Sequence, residues 1–222
     1  MTDFAAARRS MVDSQVRTND VTDLRIIAAM LELPRERFVP QSDAALAYLD
    51  RDIPLRAPGV APGRCLLKPM VLAKMLQAAG VRAGDHVLDV GCTTGYSAAL
   101  LARLAGSVVA LEEDPALAAA AGENLKEMGG GKVEVVKGPL AQGFAPRAPY
   151  DLVFIDGASE IEPRSLFDQI KDQGRLIAVV GRPPAARAVL YRSVGGDVSG
   201  WPVFDASAPI LPGFAAPAEF VF

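Results

Sequence analysis

The sequence predicts an open α/β fold: a mostly parallel central sheet with helices on both faces, an N-terminal helical extension and an antiparallel C-terminal edge. Three observations lead there. From residue 86 onward, short apolar runs alternate with runs of helical period. Several of the apolar runs lack polar alternation, as strands covered on both faces require. After residue 188 the runs are separated only by Gly and Pro turns, which suits antiparallel strands at a sheet edge.

Residues 3–40 read as helical, because Phe4, Met11, Val12 and Val16 share one face and Thr22 precedes a second apolar-periodic run, Leu24 to Leu33, that Pro34 ends. The Pro- and Gly-rich stretch IPLRAPGVAPGRCLLKP, within 41–68 and its boundary, is expected to be an ordered loop covering a site. Pro69 opens the helix MVLAKMLQAA and Gly80 closes it. Then follow strand 86–91, helix 96–105, strand 107–113, helix 115–128 capped by Asp114, and strands 132–138 and 151–157. Helix 165–172 and strand 174–181 come next, and VLYRSV, PVFDASAPI and AEFVF are expected as C-terminal strands.

With 222 residues, half of them apolar, the chain can bury a core as one domain. A formal charge of −3 gives no general attraction to nucleic acid. The two cysteines, Cys65 and Cys92, lack companions at metal-ligand spacing, so no metal site and no disulfide framework is expected. The first seventeen residues carry charges throughout, and no apolar run nears the roughly 20 residues of a membrane span. The expected location is cytoplasmic, without a membrane or nucleic-acid partner.

Ligands of open α/β sheets bind at the carboxyl ends of the strands, above all at the first strand-to-helix turn. That turn is DVGCTTGY, where Gly91 and Gly95 flank Cys92, Thr93 and Thr94 ahead of a helix N-terminus. Glu112, about 20 residues further on at the end of the next strand, is placed to accept hydrogen bonds from both hydroxyls of a ribose. Glu113 and Asp114 adjoin it, so that role could shift by a position, and all three acids could instead serve the helix that starts at Pro115. Asp89, inside an apolar strand, needs donors from the turn or from a ligand ammonium. Asp156, ending the fourth strand, reads either as facing an acceptor or as a turn residue of IDGA, and the lone His86 as a surface residue.

The turn departs from the dinucleotide pattern G-x-G-x-x-G and resembles the first motif of class I methyltransferases. VLDVGCTTGYSAALLARLAGSVVALEED resembles, more narrowly, the cofactor motif of protein-L-isoaspartate O-methyltransferases. MVDSQVRTNDVTDLRIIAAMLELPRERFVP, AYLDRDIPL, YDLVFIDGA and DQIKDQGRLIAVVG resemble further blocks of that family in the same order, over residues 11–181, with APILPGF a weaker match. The resemblance implies a Rossmann-like class I methyltransferase fold in one domain, 1–222: N-terminal helices and covering loop over 1–80, core over 81–182, C-terminal strands over 183–222. It implies S-adenosyl-L-methionine as cofactor and methyl transfer to the carboxylate of an isoaspartyl protein or peptide, a repair reaction. Cofactor contacts are implied for Asp89, Gly91, Cys92, Thr93, Gly95, Glu112 and Glu113.

The chain departs from the family pattern in three places, the third a segment with two substitutions. Thr93 stands for a turn glycine, and Pro139 for an acid that would meet the adenine amino group. In GRCLLKP, Cys65 replaces a Thr and Leu67 the Ser of a hydroxyl-rich element that positions the substrate carboxylate, with Arg64 and Lys68 alongside as sources of positive charge. Cys65, Leu67 and Asp156 are therefore the catalytic positions to inspect. Alternatives remain: a changed acceptor, a binding or regulatory protein that has lost catalysis, or a metal-dependent enzyme. The last would need oxygen ligands near Asp156 that VVGRPPAAR does not supply.

Overall fold

In the computed structural model, which describes residues 3–56, 60, 62–129 and 131–217, the sheet is built from seven strands. A small antiparallel hairpin, β1 (Ile53–Pro54) with β2 (Cys65–Leu66), stands apart from it. The main strands are β3 (His86–Val90), β4 (Ser107–Glu112), β5 (Val133–Lys137), β6 (Tyr150–Ser159), β7 (Ile170–Val180), β8 (Arg187–Val194) and β9 (Asp197–Asp205), in the order β5-β4-β3-β6-β7-β8-β9. Pairing is parallel from β5 to β7 and antiparallel from β7 to β9. The chain runs outward from β3 through β4 to β5, then returns to β3's other side as β6. That reversal opens a crevice at the carboxyl ends of β3 and β6.

Successive strand residues alternate between two cores, as the two-residue period dictates. Val87, Val108, Ala110, Leu152 and Phe154 point into one cluster, with the buried residues of α1 (Phe4–Met11), α2 (Leu24–Glu32), α3 (Pro69–Ala79), α4 (Tyr96–Leu104) and α5 (Pro115–Glu127). Leu88, Val90, Val109, Leu111, Val153 and Ile155 point to the other, where short 3₁₀ turns at Leu140–Gln142 and Arg164–Gln169 and the side chains of Leu211 and Phe214 cover them. Both faces are thus dry, which is why the stretches Val87–Val90, Val108–Leu111 and Leu152–Ile155 are apolar, Asp89 being the exception.

Most elements lie where the sequence puts them, and the exceptions have local causes. Asp23 rather than Thr22 caps α2, accepting the Arg25 N–H at 2.9 Å. The expected helix 165–172 is only the turn Arg164–Gln169, because Ile170 pairs with Tyr150 and begins β7. Gln169, tied to Phe144 N and Gln142 O, fixes that turn. Of the C-terminal runs, VLYRSV and the region around PVFD form β8 and β9, whereas residues 209–211 turn back across the tip of β6. There Ala158 N donates to Pro209 O at 2.8 Å and Leu211 N to Ala158 O at 2.9 Å. AEFVF lies outside the described residues. Among those residues no helix is long and apolar enough to cross a membrane.

Arg175 of β7 ties the helical layer to the sheet. Its guanidinium donates to Ala79 O (2.5 Å) and Gly80 O (2.7 Å) at the end of α3, to Asp151 O (3.1 Å), and to the buried Asp85 carboxylate. Two of these are helix-end carbonyls, one is a strand carbonyl and one is a buried charge otherwise held by Arg82 N, so losing the guanidinium strips a buried donor from each. Arg175→Met is expected to cost about 3–5 kcal/mol in urea unfolding. A cost below about 1 kcal/mol would show the cluster to be dispensable.

Candidate active site

The turn after β3 is wound by alternating left-handed residues: Gly91 (φ 83°), Thr93 (φ 52°) and Gly95 (φ 96°). For a β-branched threonine that conformation is costly and has to be held by its surroundings. Five hydrogen bonds hold it. Gly91 N and Cys92 N donate to Leu111 O at 2.8 and 3.2 Å, and Thr93 N donates to the Glu112 carboxylate at 2.9 Å. Asn124 of α5 donates to Thr94 O at 2.9 Å, and the Thr94 hydroxyl donates to Phe38 O at 2.6 Å, binding the N-terminal helices to the turn. Cys92 is fully buried, and burial pushes its thiol well up, so it packs as a protonated side chain.

Three carboxylates gather around this turn. Glu112 is buried at the tip of β4, where one oxygen accepts Glu113 N and Asp114 N and the other accepts Thr93 N and the Arg64 guanidinium. Burial lifts its carboxyl above the usual value even against Arg64 and the backbone donors. Asp89 points from β3 toward α4, where the Ser97 hydroxyl donates to it at 2.7 Å while its other oxygen has no partner. Asp156, in the irregular stretch of β6 between Phe154 and Ala158, also keeps an unpartnered oxygen. Burial pushes Asp156 up to about 6, with the Ser97 hydroxyl, Arg64 and Arg35 opposing the rise and Glu112 adding to it. Asp89 is raised by the same burial and by Asp156.

The sequence candidates therefore separate. Glu112 turns inward over the turn, whereas Glu113 is exposed and accepts Leu140 N at 3.3 Å, placing an acid next to Pro139. Asp114 takes the cap role, accepting Ala116 N and Leu117 N. Leu67 packs in the core, its carbonyl held by Arg35 at 2.7 Å. Cys65, by contrast, lines a cavity of about 770 Å³ together with Asp52, Leu55, Arg64 and Pro209. Burial, with Asp52 and Asp156 adding to it, pushes the Cys65 thiol far up, so it offers no thiolate. His86 stands away from these groups, between Ser107 and Arg147 O.

Three contributors escaped the sequence reading. Ser97 sits on the first turn of α4, eight residues after Asp89, a position that a strand-turn-helix drawing would have singled out. Arg35 is fully buried over the Tyr96 ring at 4.8 Å, and nothing in the charged run PRERF announced it. Leu211 covers the turn: a Cβ on Gly91 would lie 2.9 Å from its side chain and one on Gly157 2.6 Å, so a side chain at either position would make Leu211 shift, and Gly91 in addition has φ +83°.

The sequence profile described as protein-L-isoaspartate(D-aspartate) O-methyltransferase matches residues 6–198. The chain belongs to that family. Among similar proteins, the protein-L-isoaspartate O-methyltransferase of Methanoculleus marisnigri is 41% identical over 174 residues, 78% of this chain and 77% of its own. That of Koribacter versatilis is 35% identical over 196 residues, 88% and 86% of the two chains. A solved protein-L-isoaspartate O-methyltransferase superposes with a TM-score of 0.79 at 25% identity, covering 93% of this chain and 66% of that one. A Plasmodium falciparum structure, described as a protein-L-isoaspartate O-methyltransferase in complex with S-adenosyl-L-homocysteine, shares the fold with a TM-score of 0.76 at 16% identity, covering 95% and 99%. Enzymes of this family are S-adenosylmethionine-dependent methyltransferases, so the Rossmann-like fold and the cofactor class expected from the turn both hold.

In this family fold the raised Asp156 carboxyl has a measurable consequence. Between the free value near 4 and the folded value of about 6, the native protein keeps a proton that the unfolded chain has lost, so stability falls as pH rises through that window. Asp156→Asn cannot ionise and is expected to stabilise the ligand-free protein above about pH 6, by on the order of 2 kcal/mol, with no gain below about pH 4. Urea unfolding at pH 4 and 7.5 measures this, and an equal effect at both pH values would show the site does not titrate as described.

Proposed function

We propose that the chain methylates a peptide carboxylate in the isoaspartyl-repair manner, with the crevice at the tips of β3, β4 and β6 as donor site and the 770 Å³ cavity as acceptor site. One observation carries the reading: three buried carboxylates gather around a left-handed turn, Glu112 alone is paired with a guanidinium, that of Arg64, and Asp89 Oδ1 and Asp156 Oδ1 are unpartnered. Such a site has surplus negative charge and free acceptors, and it suits a ligand that carries both a sulfonium and an ammonium. The Thr93 hydroxyl, also unpartnered, adds a donor where the family pattern has only a glycine.

Each residue then has a role. Glu112 accepts the ribose hydroxyls, Gly91 and Gly95 let the backbone approach, and Asp89 and Asp156 hold the positive end. Glu113, beside Pro139, stands in as acceptor for the adenine amino group. Bound S-adenosylmethionine supplies a methyl group on a positively charged sulfur, an already activated donor. An ionised acceptor carboxylate needs no base, so the chain's contribution is to orient it, exclude water and balance charge. Cys65 and Arg64 line the acceptor cavity, whereas Leu67 leaves it no hydroxyl. That loss favours, as second reading, a carboxylate acceptor other than isoaspartate or a protein that binds cofactor without turnover.

Calorimetric titration with S-adenosylmethionine, followed by methylation of an isoaspartyl hexapeptide, tests the reading. Binding with methylation is expected. Binding without methylation selects the second reading, and no binding refutes both. Glu112→Gln should weaken cofactor binding at least tenfold and Glu113→Gln three- to tenfold in the same titration, and unchanged affinities would remove these residues from the site.

A further inference from the structure

Arg64 reaches two sites at once. Its backbone is fixed at the hairpin, where its carbonyl accepts Leu55 N at 2.9 Å, and it lines the cavity beside Cys65. Its side chain is 3% exposed and runs into the donor crevice, donating to Glu112 Oε2 and to Gly91 O at 3.4 Å. Two of its three nitrogens, Nε and Nη1, have no partner. Glu112 is meanwhile fully subscribed: Glu113 N and Asp114 N take one oxygen, Thr93 N and Arg64 the other.

The three backbone donors of Glu112 belong to the turns that build the site, so the guanidinium is the one donor that can leave without unwinding them. Whatever brings hydroxyls to this carboxylate must displace Arg64. The cavity Arg64 already lines is the adjoining open space, and it lacks a carboxylate-binding hydroxyl because Leu67 is turned into the core. A guanidinium with unpaired donors in a fixed fork is well suited to grip a carboxylate there.

Resting on the donor reading above, we propose that Arg64 couples the two sites: it occupies Glu112 when the donor crevice lacks a nucleoside, and once displaced it binds the acceptor carboxylate in the cavity. Cofactor and acceptor then bind in that order, each strengthening the other by the same factor. The free-state pairing acts as an internal competitor for cofactor and lowers its apparent affinity by the fraction of protein so closed. Arg56 also lines the cavity but is exposed and touches no donor-site residue, so its removal should alter acceptor binding alone.

Titration of S-adenosylhomocysteine into the wild type and into Arg64→Gln, with steady-state kinetics on an isoaspartyl hexapeptide, tests this. Arg64→Gln is expected to bind S-adenosylhomocysteine at least fivefold more tightly while the peptide KM rises at least tenfold and kcat changes less than threefold, with Arg64→Lys between the two. An unchanged or weaker S-adenosylhomocysteine affinity, or an unchanged KM, overturns the coupling while leaving the donor site standing. A wild type that binds no S-adenosylhomocysteine overturns the donor reading itself and the coupling with it. Should Arg64→Gln fail to fold, the wild type alone decides: peptide should bind at least tenfold more tightly with saturating S-adenosylhomocysteine than without, and equal binding overturns the proposal.

Discussion

A single buried carboxylate organises this molecule's functional end. Glu112 sits where β4 stops, and its two oxygens collect donors from three different stretches of chain: the turn after β3, the start of α5 and the loop that carries Arg64. A carboxylate out of water needs such donors, and here the donors are backbone groups whose positions define the site. The left-handed Thr93, unfavourable for a threonine by itself, is one of them. The same oxygens that shape the turn in the free protein are those a ribose would use, so folding and ligand binding draw on one group.

Around that centre, the N-terminal helices are not an appendage. Thr94 donates to Phe38 O, Phe38 stacks edge-on to Tyr96 at 5.3 Å, and Arg35 lies over the same ring while holding Ala47 O and Leu67 O. Arg35 thereby fixes the backbone just ahead of α3 and turns Leu67 into the core. The change from a hydroxyl-bearing residue to leucine at this place is an exchange of a pocket group for a packing group. The acceptor cavity is left to Cys65, Arg64 and the charged residues at its mouth.

Much of the fold was legible because its signals are local. Period-two alternation between two dry faces makes strand stretches such as Val108–Leu111 and Leu152–Ile155 apolar throughout, and Pro115 and Gly80 mark helix ends by their own backbone preferences. The segment after Arg164 misled because its apolar spacing suits a helix, while the pairing of Ile170 with Tyr150 is a contact between strands twenty residues apart. Residues 209–211 look like another edge strand by composition, but they are recruited across the tip of β6 by Ala158.

By itself the sequence determined the alternation of strands and helices from residue 86 to strand 151–157, the glycine turn and the run of acids at the end of the second parallel strand, and it carried the motifs that resemble the family. The elements, the turn and the acids follow from spacing along the chain, and the resemblance follows from the motifs themselves. Only the tertiary structure decided which of three consecutive acids faces the crevice, that Ser97 answers Asp89, that Leu67 leaves the pocket and that Arg64 spans both sites. Those outcomes depend on which groups meet across 8 to 48 residues of separation, and burial, charge pairing and donor counting settle them only once the layers have closed.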